Sequence, residues 1–177
     1  MDESTPTEVI FIGGRSGVGK TTVAAEASRI LAALDVRHAV IEGDNLDQAH
    51  PAPWRNGIDL AERNLAAMWS NYRAAGYARL LFTNTVSVLQ LPELTAAIGG
   101  EVRSFAALLT ATDETAGARL ALREVGGGLD EHLHRSRAAA AELDVNSDAY
   151  RIATDGRSVT QIAHELLLAA GWMSRPA

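Results

Sequence analysis

Lysine occurs once in this chain, at Lys20, against fifteen arginines. It closes the run Gly14-Arg15-Ser16-Gly17-Val18-Gly19-Lys20-Thr21, which fits the phosphate-loop pattern G-x-x-x-x-G-K-[ST]. Each residue type in that pattern has a physical task. The glycines let the backbone curl so that successive N–H groups point inward and form an anion nest. A helix beginning at the lysine adds unbonded N–H groups and the positive end of its dipole. Lys20 places a compact charge on the β and γ phosphates, and Thr21 offers a hydroxyl to a bridging magnesium ion. A forked, planar guanidinium would be a poor substitute for that point charge in so tight a nest. Gly14, Arg15, Ser16, Gly17, Val18, Gly19, Lys20, Thr21 and Thr22 are therefore the expected nucleotide-binding residues.

The rest of the chain narrows the class of nucleotide protein. A guanine-reading N-K-x-D motif needs a second lysine, so a GTP switch is excluded. Motor and transporter ATPases carry an apolar strand that ends in an acid positioning magnesium or water. Here Leu80-Leu81-Phe82 runs into Thr83-Asn84-Thr85, and Leu108-Leu109 into Thr110-Ala111-Thr112. The strand that does deliver acids is the second, which ends in Glu42-Gly43-Asp44-Asn45. An acidic pair just after the first strand–helix unit suits a small-molecule kinase. A P-loop regulatory or accessory ATPase without a small-molecule acceptor is the alternative.

GGRSGVGKTT, followed some twenty residues on by IEGDNLD and then by a glycine-containing segment flanked by arginines, resembles the nucleoside-monophosphate-kinase-like group of small kinases. The GDN segment resembles that of adenylylsulfate kinase. Shikimate kinase, gluconate kinase, chloramphenicol phosphotransferase and the tunicamycin-resistance proteins share the plan. Strand three departs from adenylylsulfate kinase, ending in Thr83-Asn84-Thr85-Val86 without that enzyme's Phe-Ile-Ser-Pro-like segment. The resemblance implies a three-layer α/β/α fold with a five-stranded parallel sheet in the order 2-3-1-4-5. It also implies ATP and Mg2+, a small-molecule acceptor, and a mobile lid over about residues 119–137. Carried over by position, it makes Asp44 the general base for the acceptor hydroxyl, with a turn or cap residue as the other reading of an Asp-Asn pair. Glu42 would act on the metal together with Thr21.

In the same plan, arginines flanking the lid stabilise the charge on the moving phosphoryl group. Arg119, Arg123, Arg135 and Arg137 surround Gly126-Gly127-Gly128; Arg123 is the first choice and Arg119 shares its helix face four residues back. Pairing with Glu114, Glu124 or Glu142 is the alternative for each. The acceptor should lie between the ends of strands two and three and the following helix, near Asp44, Asp47, His50, Trp54, Arg55, Arg63, Asn84 and Thr85. Arg55 and Arg63 could hold an anionic acceptor and Trp54 could stack on a ring, or simply cover the core. Arg157, after the last strand, falls where such kinases contact adenine.

The elements that must position these groups alternate in period. Short apolar runs at residues 9–12, 38–41, 78–83, 105–109 and 150–154 read as buried strands. Between them, helical spacing places Val23, Ala27, Ile30, Leu31 and Leu34 on one face after Lys20. It does the same for Leu65, Met68, Trp69 and Tyr72 within residues 59–75. Further helices are expected at residues 91–98, 113–125 and about 130–143. Ser158-x-x-Gln161 is a capping box for a last helix. Strands alternating with helices mean a parallel sheet covered on both faces.

With 177 residues and 47% hydrophobic residues, one domain spanning residues 1–177 with an ordinary core is expected. A net charge of -6 argues against a nucleic-acid partner, which would need a positive surface. Without cysteine there is no disulfide, thiolate nucleophile or cysteine-held zinc. The N-terminus lacks an apolar signal core and no run reaches membrane-spanning length, so a cytoplasmic chain with no membrane partner is expected. The sequence is silent on oligomeric state.

Overall fold

The computed structural model describes residues 5–122 and 128–174 of the chain. Five strands, β1 (Thr7–Gly13), β2 (Ala39–Glu42), β3 (Arg79–Thr83), β4 (Val102–Thr110) and β5 (Tyr150–Ala153), form one sheet. Every pairing is parallel and the order is β2-β3-β1-β4-β5, as the sequence led us to expect. Six helices cover it: α1 (Lys20–Ala33), α2 (Leu60–Ala74), α3 (Leu91–Ile98), α4 (Asp113–Ala121), α5 (Leu129–Asn146) and α6 (Val159–Ala169). Among the described residues, no helix is long and apolar enough to cross a membrane.

The layers follow from strand alternation. Ile10 and Ile12 of β1 face α1 and α6, packing with Val23, Leu31, Ile162 and Leu166. Val9 and Phe11 face the other way, onto Leu65 and Trp69 of α2 and Leu94 of α3. Phe11 meets Phe82 edge to face at 5.6 Å between centroids. Both rings are fully buried, and truncating either to alanine would cost about 3–5 kcal/mol. A third, smaller cluster, Val88, Leu108 and Leu143, seats α5.

Local signals set several boundaries. Ser158 and Gln161 form the expected reciprocal cap at α6. Thr112 caps α4 through its hydroxyl, which accepts from the Thr115 N–H. Three readings need correction. Leu34 was expected on the face of α1 shared by Val23 and Leu31, but the helix ends at Ala33 and Leu34, its C-cap, is exposed. Met68 was expected on the inward face of α2 but is 38% exposed, because Leu65 and Trp69 already fill the contact with the sheet. Strand β4 runs to nine residues instead of five, since Val102 to Ser104 pair with β1 although Arg103 and Ser104 are exposed. Helix α4 was expected over residues 113–125; its described part ends at Ala121, and residues 123–127, Arg123 among them, lie outside the described residues.

Candidate functional site

Strand β1 ends at Gly13, and the chain from Gly14 to Gly19 wraps over the start of α1. Gly17 has φ 84°, and a Cβ there would stand 2.5 Å from the Ala116 carbonyl oxygen of α4. Only glycine lets this loop lie so close to its neighbour. The first turn of α1 holds no acidic residue, so nothing in it competes with an anion for the helix dipole.

Lys20 is 8% exposed. Its ammonium lies 2.8 Å from the Gly14 carbonyl, and 3.4 Å from both the Arg15 carbonyl and the Thr85 hydroxyl. Thr85 thus belongs to the loop's own wall: its carbonyl also accepts from the Gly14 N–H at 3.1 Å. Thr21 and Thr22 are exposed on the first turn of α1. Backbone curvature, an aimed lysine and an open helix N-terminus fit the triphosphate of a nucleotide. Among the described residues no cluster of three histidines or carboxylates could hold a metal alone, so magnesium would depend on phosphate oxygens with the Thr21 hydroxyl.

The arginine of the loop behaves unlike the lysine. Arg15 is 4% exposed, and its guanidinium turns to α4 and α5, where it reaches Asp113 and the Ser136 hydroxyl. Its backbone stays with the loop. Arg15, and to a lesser degree Arg137, hold the Asp113 carboxyl below its ordinary value.

Beside the loop, Gly17, Val18, Thr22, Arg119, Arg157 and Ile162 line a cavity of about 250 Å³. Arg119 donates to the Val18 carbonyl at 3.1 Å and to Thr154 at 3.0 and 3.3 Å. Its guanidinium therefore braces the loop against the turn after β5. Arg157 donates to Glu165 at 2.6 Å and to the Ala153 carbonyl. The same turn is anchored by Asp155, which accepts from the N–H and hydroxyl of Thr112. Hydrogen bonds from Thr115 and Thr112 lower the Asp155 pKa to about 2.

The acidic segment lies at the same end of the sheet. Ile12 of β1 pairs with Thr83 of β3, and Thr83 with Glu42 of β2, so these three residues stand level. Two strand spacings put β2 about 10 Å from β1. Gly43 then permits a tight turn: a Cβ there would lie 2.6 Å from the Phe82 ring and 2.9 Å from the Thr83 carbonyl. Asp44 is exposed in that turn and makes no side-chain cap. Glu42 is half-buried and accepts from Asn45 at 3.3 Å. Asn64 of α2 donates to the Leu46 carbonyl at 2.6 Å and fixes the far side of the turn. That tie was not expected from the sequence; Thr85, expected near the acceptor, contacts the loop lysine.

Beyond the turn is a cavity of about 450 Å³ whose walls include Asp47, Trp54, Asp59, Glu62, Asn84 and Gln90. It gathers Asp47, Trp54 and Asn84, three of the residues assigned to an acceptor. Asn84 also accepts from the Val86 N–H, which fixes its amide. Arg55 and Arg63 do not line this cavity; both are exposed, and Arg55 lies over the Trp54 ring at 5.1 Å. Of the remaining lid arginines, Arg135 pairs with Glu131 at 3.7 Å and Arg137 with Asp113 at 3.4 Å.

Residues 6–64 match the family model of adenylylsulphate kinase, covering the phosphate loop, the acidic turn and the start of α2. No curated protein matches the chain. Among solved structures, the tunicamycin resistance protein of Deinococcus radiodurans superposes with a TM-score of 0.63 at 20% identity, over 97% of this chain and 99% of the other. A gluconokinase from Sinorhizobium meliloti 1021 gives 0.61 at 18%, over 95% and 93%. The Mycobacterium tuberculosis APS kinase, solved with AMPPNP and APS, gives 0.55 at 18%, over 95% and 99%. At these identities the likeness is one of fold: the chain has the α/β fold of P-loop kinases along its length.

Proposed function

We propose that this chain transfers the γ-phosphoryl group of ATP to a hydroxyl of a small acceptor held between β2, β3 and α2. One observation carries the reading: the phosphate loop, Thr85 and the Glu42–Asp44 turn end three adjacent strands, with an open cavity beside the turn. The β and γ phosphates occupy the loop under Lys20, and the base side of the nucleotide takes the cavity between Arg119 and Arg157. Thr21, and Glu42 through water, would hold magnesium against the phosphates, where it would neutralise their charge. Asp44 accepts the proton of the acceptor hydroxyl as its oxygen bonds to the γ phosphorus, and the bond to the β-phosphate oxygen breaks to release ADP. Lys20 and arginines of residues 119–137, Arg119 and Arg123 first among them, stabilise the charge on the transferring group.

The acceptor cavity indicates what kind of molecule carries the hydroxyl. Asp47, Asp59 and Glu62 have no hydrogen-bond or ion-pair partner among the described residues, and no basic side chain lines the cavity with them. Carboxylates and amides accept from hydroxyl and ammonium groups and repel a second anion. Trp54, 63% exposed, offers a face for a sugar or aromatic ring. We therefore assign a neutral or amine-bearing polyhydroxyl acceptor.

The test is transfer of label from γ-labelled ATP to three acceptor panels: neutral sugars and polyols, amino sugars, and sugar acids or phosphates. Label is expected on members of the first two. Transfer confined to anionic acceptors would overturn the acceptor assignment. Label appearing only as inorganic phosphate would favour an accessory ATPase.

A further inference from the structure

Arg15 is a phosphate-loop residue whose charge is spent away from the phosphates. Its Nε donates to the Ser136 hydroxyl at 2.9 Å, and the Ser136 hydroxyl in turn donates to the Ser16 carbonyl at 2.9 Å. Its Nη1 binds the Asp113 carboxylate. Two consecutive loop residues are thus tied to the middle of α5, and the same guanidinium holds the first residue of α4.

We propose that Arg15 is a positioning residue that couples occupancy of the phosphate loop to the setting of α4 and α5. The geometry supplies both requirements of a coupling element: a direct bond at each end and a resting state that is incompletely satisfied. Arg15 and Ser16 are residues of the phosphate loop, so a bound phosphate would set the loop backbone from which the Arg15 side chain and the Ser16 carbonyl project. Any adjustment of those planes is handed to Ser136 through a two-bond path. At the other end Nη2 is buried with no acceptor among the described residues, and such a group disfavours the arrangement that strands it. The guanidinium also borders a cavity of about 360 Å³ between α5 and β4, where Ala140 and Ala141 leave space. Asp113 is shared with Arg137 of α5, so rotation of Arg15 alters a second tie between the same helices. Two discrete arrangements of a packed polar network, each favoured by a different ligation state, are what transmits binding energy between sites. The inference needs only the nucleotide half of the proposed function, whatever the acceptor.

Hydrogen exchange of the full chain with and without ADP and magnesium tests it, with ADP affinity measured in parallel. ADP should slow exchange in residues 138–146 of the wild type, the part of α5 beyond the arginines assigned to the transferring phosphate. Ser136→Ala and Arg15→Met should each reduce that slowing by about tenfold and raise the KM for ATP by a similar factor, the scale of a typical coupling between sites, without moving the acceptor KM. Ser136→Thr, which keeps the hydroxyl, should retain the slowing. A merely structural Arg15 would lower the melting temperature and leave the ADP-dependent slowing intact, which overturns the proposal. Should Arg15→Met fail to fold, Ser136→Ala carries the test alone. Wild type that binds ADP with no slowing in residues 138–146 overturns the coupling and leaves the kinase reading standing. Wild type that binds no ADP overturns both.

Discussion

The phosphate side and the acceptor side of this site are built in opposite ways. On the phosphate side nearly every polar group is committed: Lys20 to loop carbonyls, Arg15 to two helices, Arg119 to Val18 and Thr154, Asp155 to Thr112. On the acceptor side, Asp44, Asp47, Asp59 and Glu62 are unpartnered among the described residues, and Trp54 stands in solvent. In the proposed function the contrast follows from what each side must hold. A triphosphate is the same in every turnover, and a nest of backbone N–H groups has to be preorganised to bind it. Selectivity for an acceptor comes from side chains on turns, whose groups are left open for the ligand.

Variants on the two sides should separate accordingly. Lys20→Met should reduce kcat/KM by roughly 10³-fold or more and weaken ADP binding together, because the same charge serves ground and transition states. Asp44→Asn should cost roughly 10²- to 10³-fold in transfer while ADP affinity, read by calorimetry, stays within about twofold. Equal activity in that variant removes Asp44 as base and leaves it a turn residue. Trp54→Ala should raise the acceptor KM by about tenfold with ATP KM unchanged, the loss of one aromatic contact; an ATP effect would mean the two cavities are not separate.

The smallest effect concerns Asp155. Its pKa is lowered from 3.8 to about 2 by hydrogen bonds from Thr115 and Thr112, so its contribution is complete above its ordinary value and is lost as pH falls toward 2. Asp155→Asn should lower stability by about 1 kcal/mol at neutral pH, or roughly 2–4 °C in melting temperature. The deficit should vanish between pH 4 and pH 2, as thermal unfolding across that window will show. Persistence of the deficit at pH 2 would mean that packing, not the charge, anchors the turn after β5.

Much of the fold was legible because period and punctuation are local. The run from Val9 to Ile12, the switch to helical spacing after Lys20, and the Ser158–Gln161 box each depend on a few adjacent residues. The order β2-β3-β1-β4-β5 came from the resemblance, and the observed sheet agrees with it. The errors fell where a contact decides. Met68 has the right spacing for the core, yet Trp69, with its indole N–H on the Thr7 hydroxyl, takes the room. Arg55 and Arg63 have the right charge for an anionic acceptor, but the turn at Pro53–Asn56 and the start of α2 present Asp59 and Glu62 to the cavity instead. No pattern in the sequence marks Asn64 or Ser136, or the contact of Thr85 with Lys20, because each partner lies many positions away.

The sequence by itself determined the phosphate loop, since a nest of N–H groups is a property of backbone conformation that glycines, a lysine and a threonine at fixed spacing encode within eight residues. Only the tertiary structure decided that the Arg15 side chain turns to α4 and α5, that Arg119 braces the loop, and that the cavity beside Trp54 is lined by acids. Those outcomes depend on which side chains the sheet order brings together across gaps of up to 121 residues, where spacing along the chain carries no information.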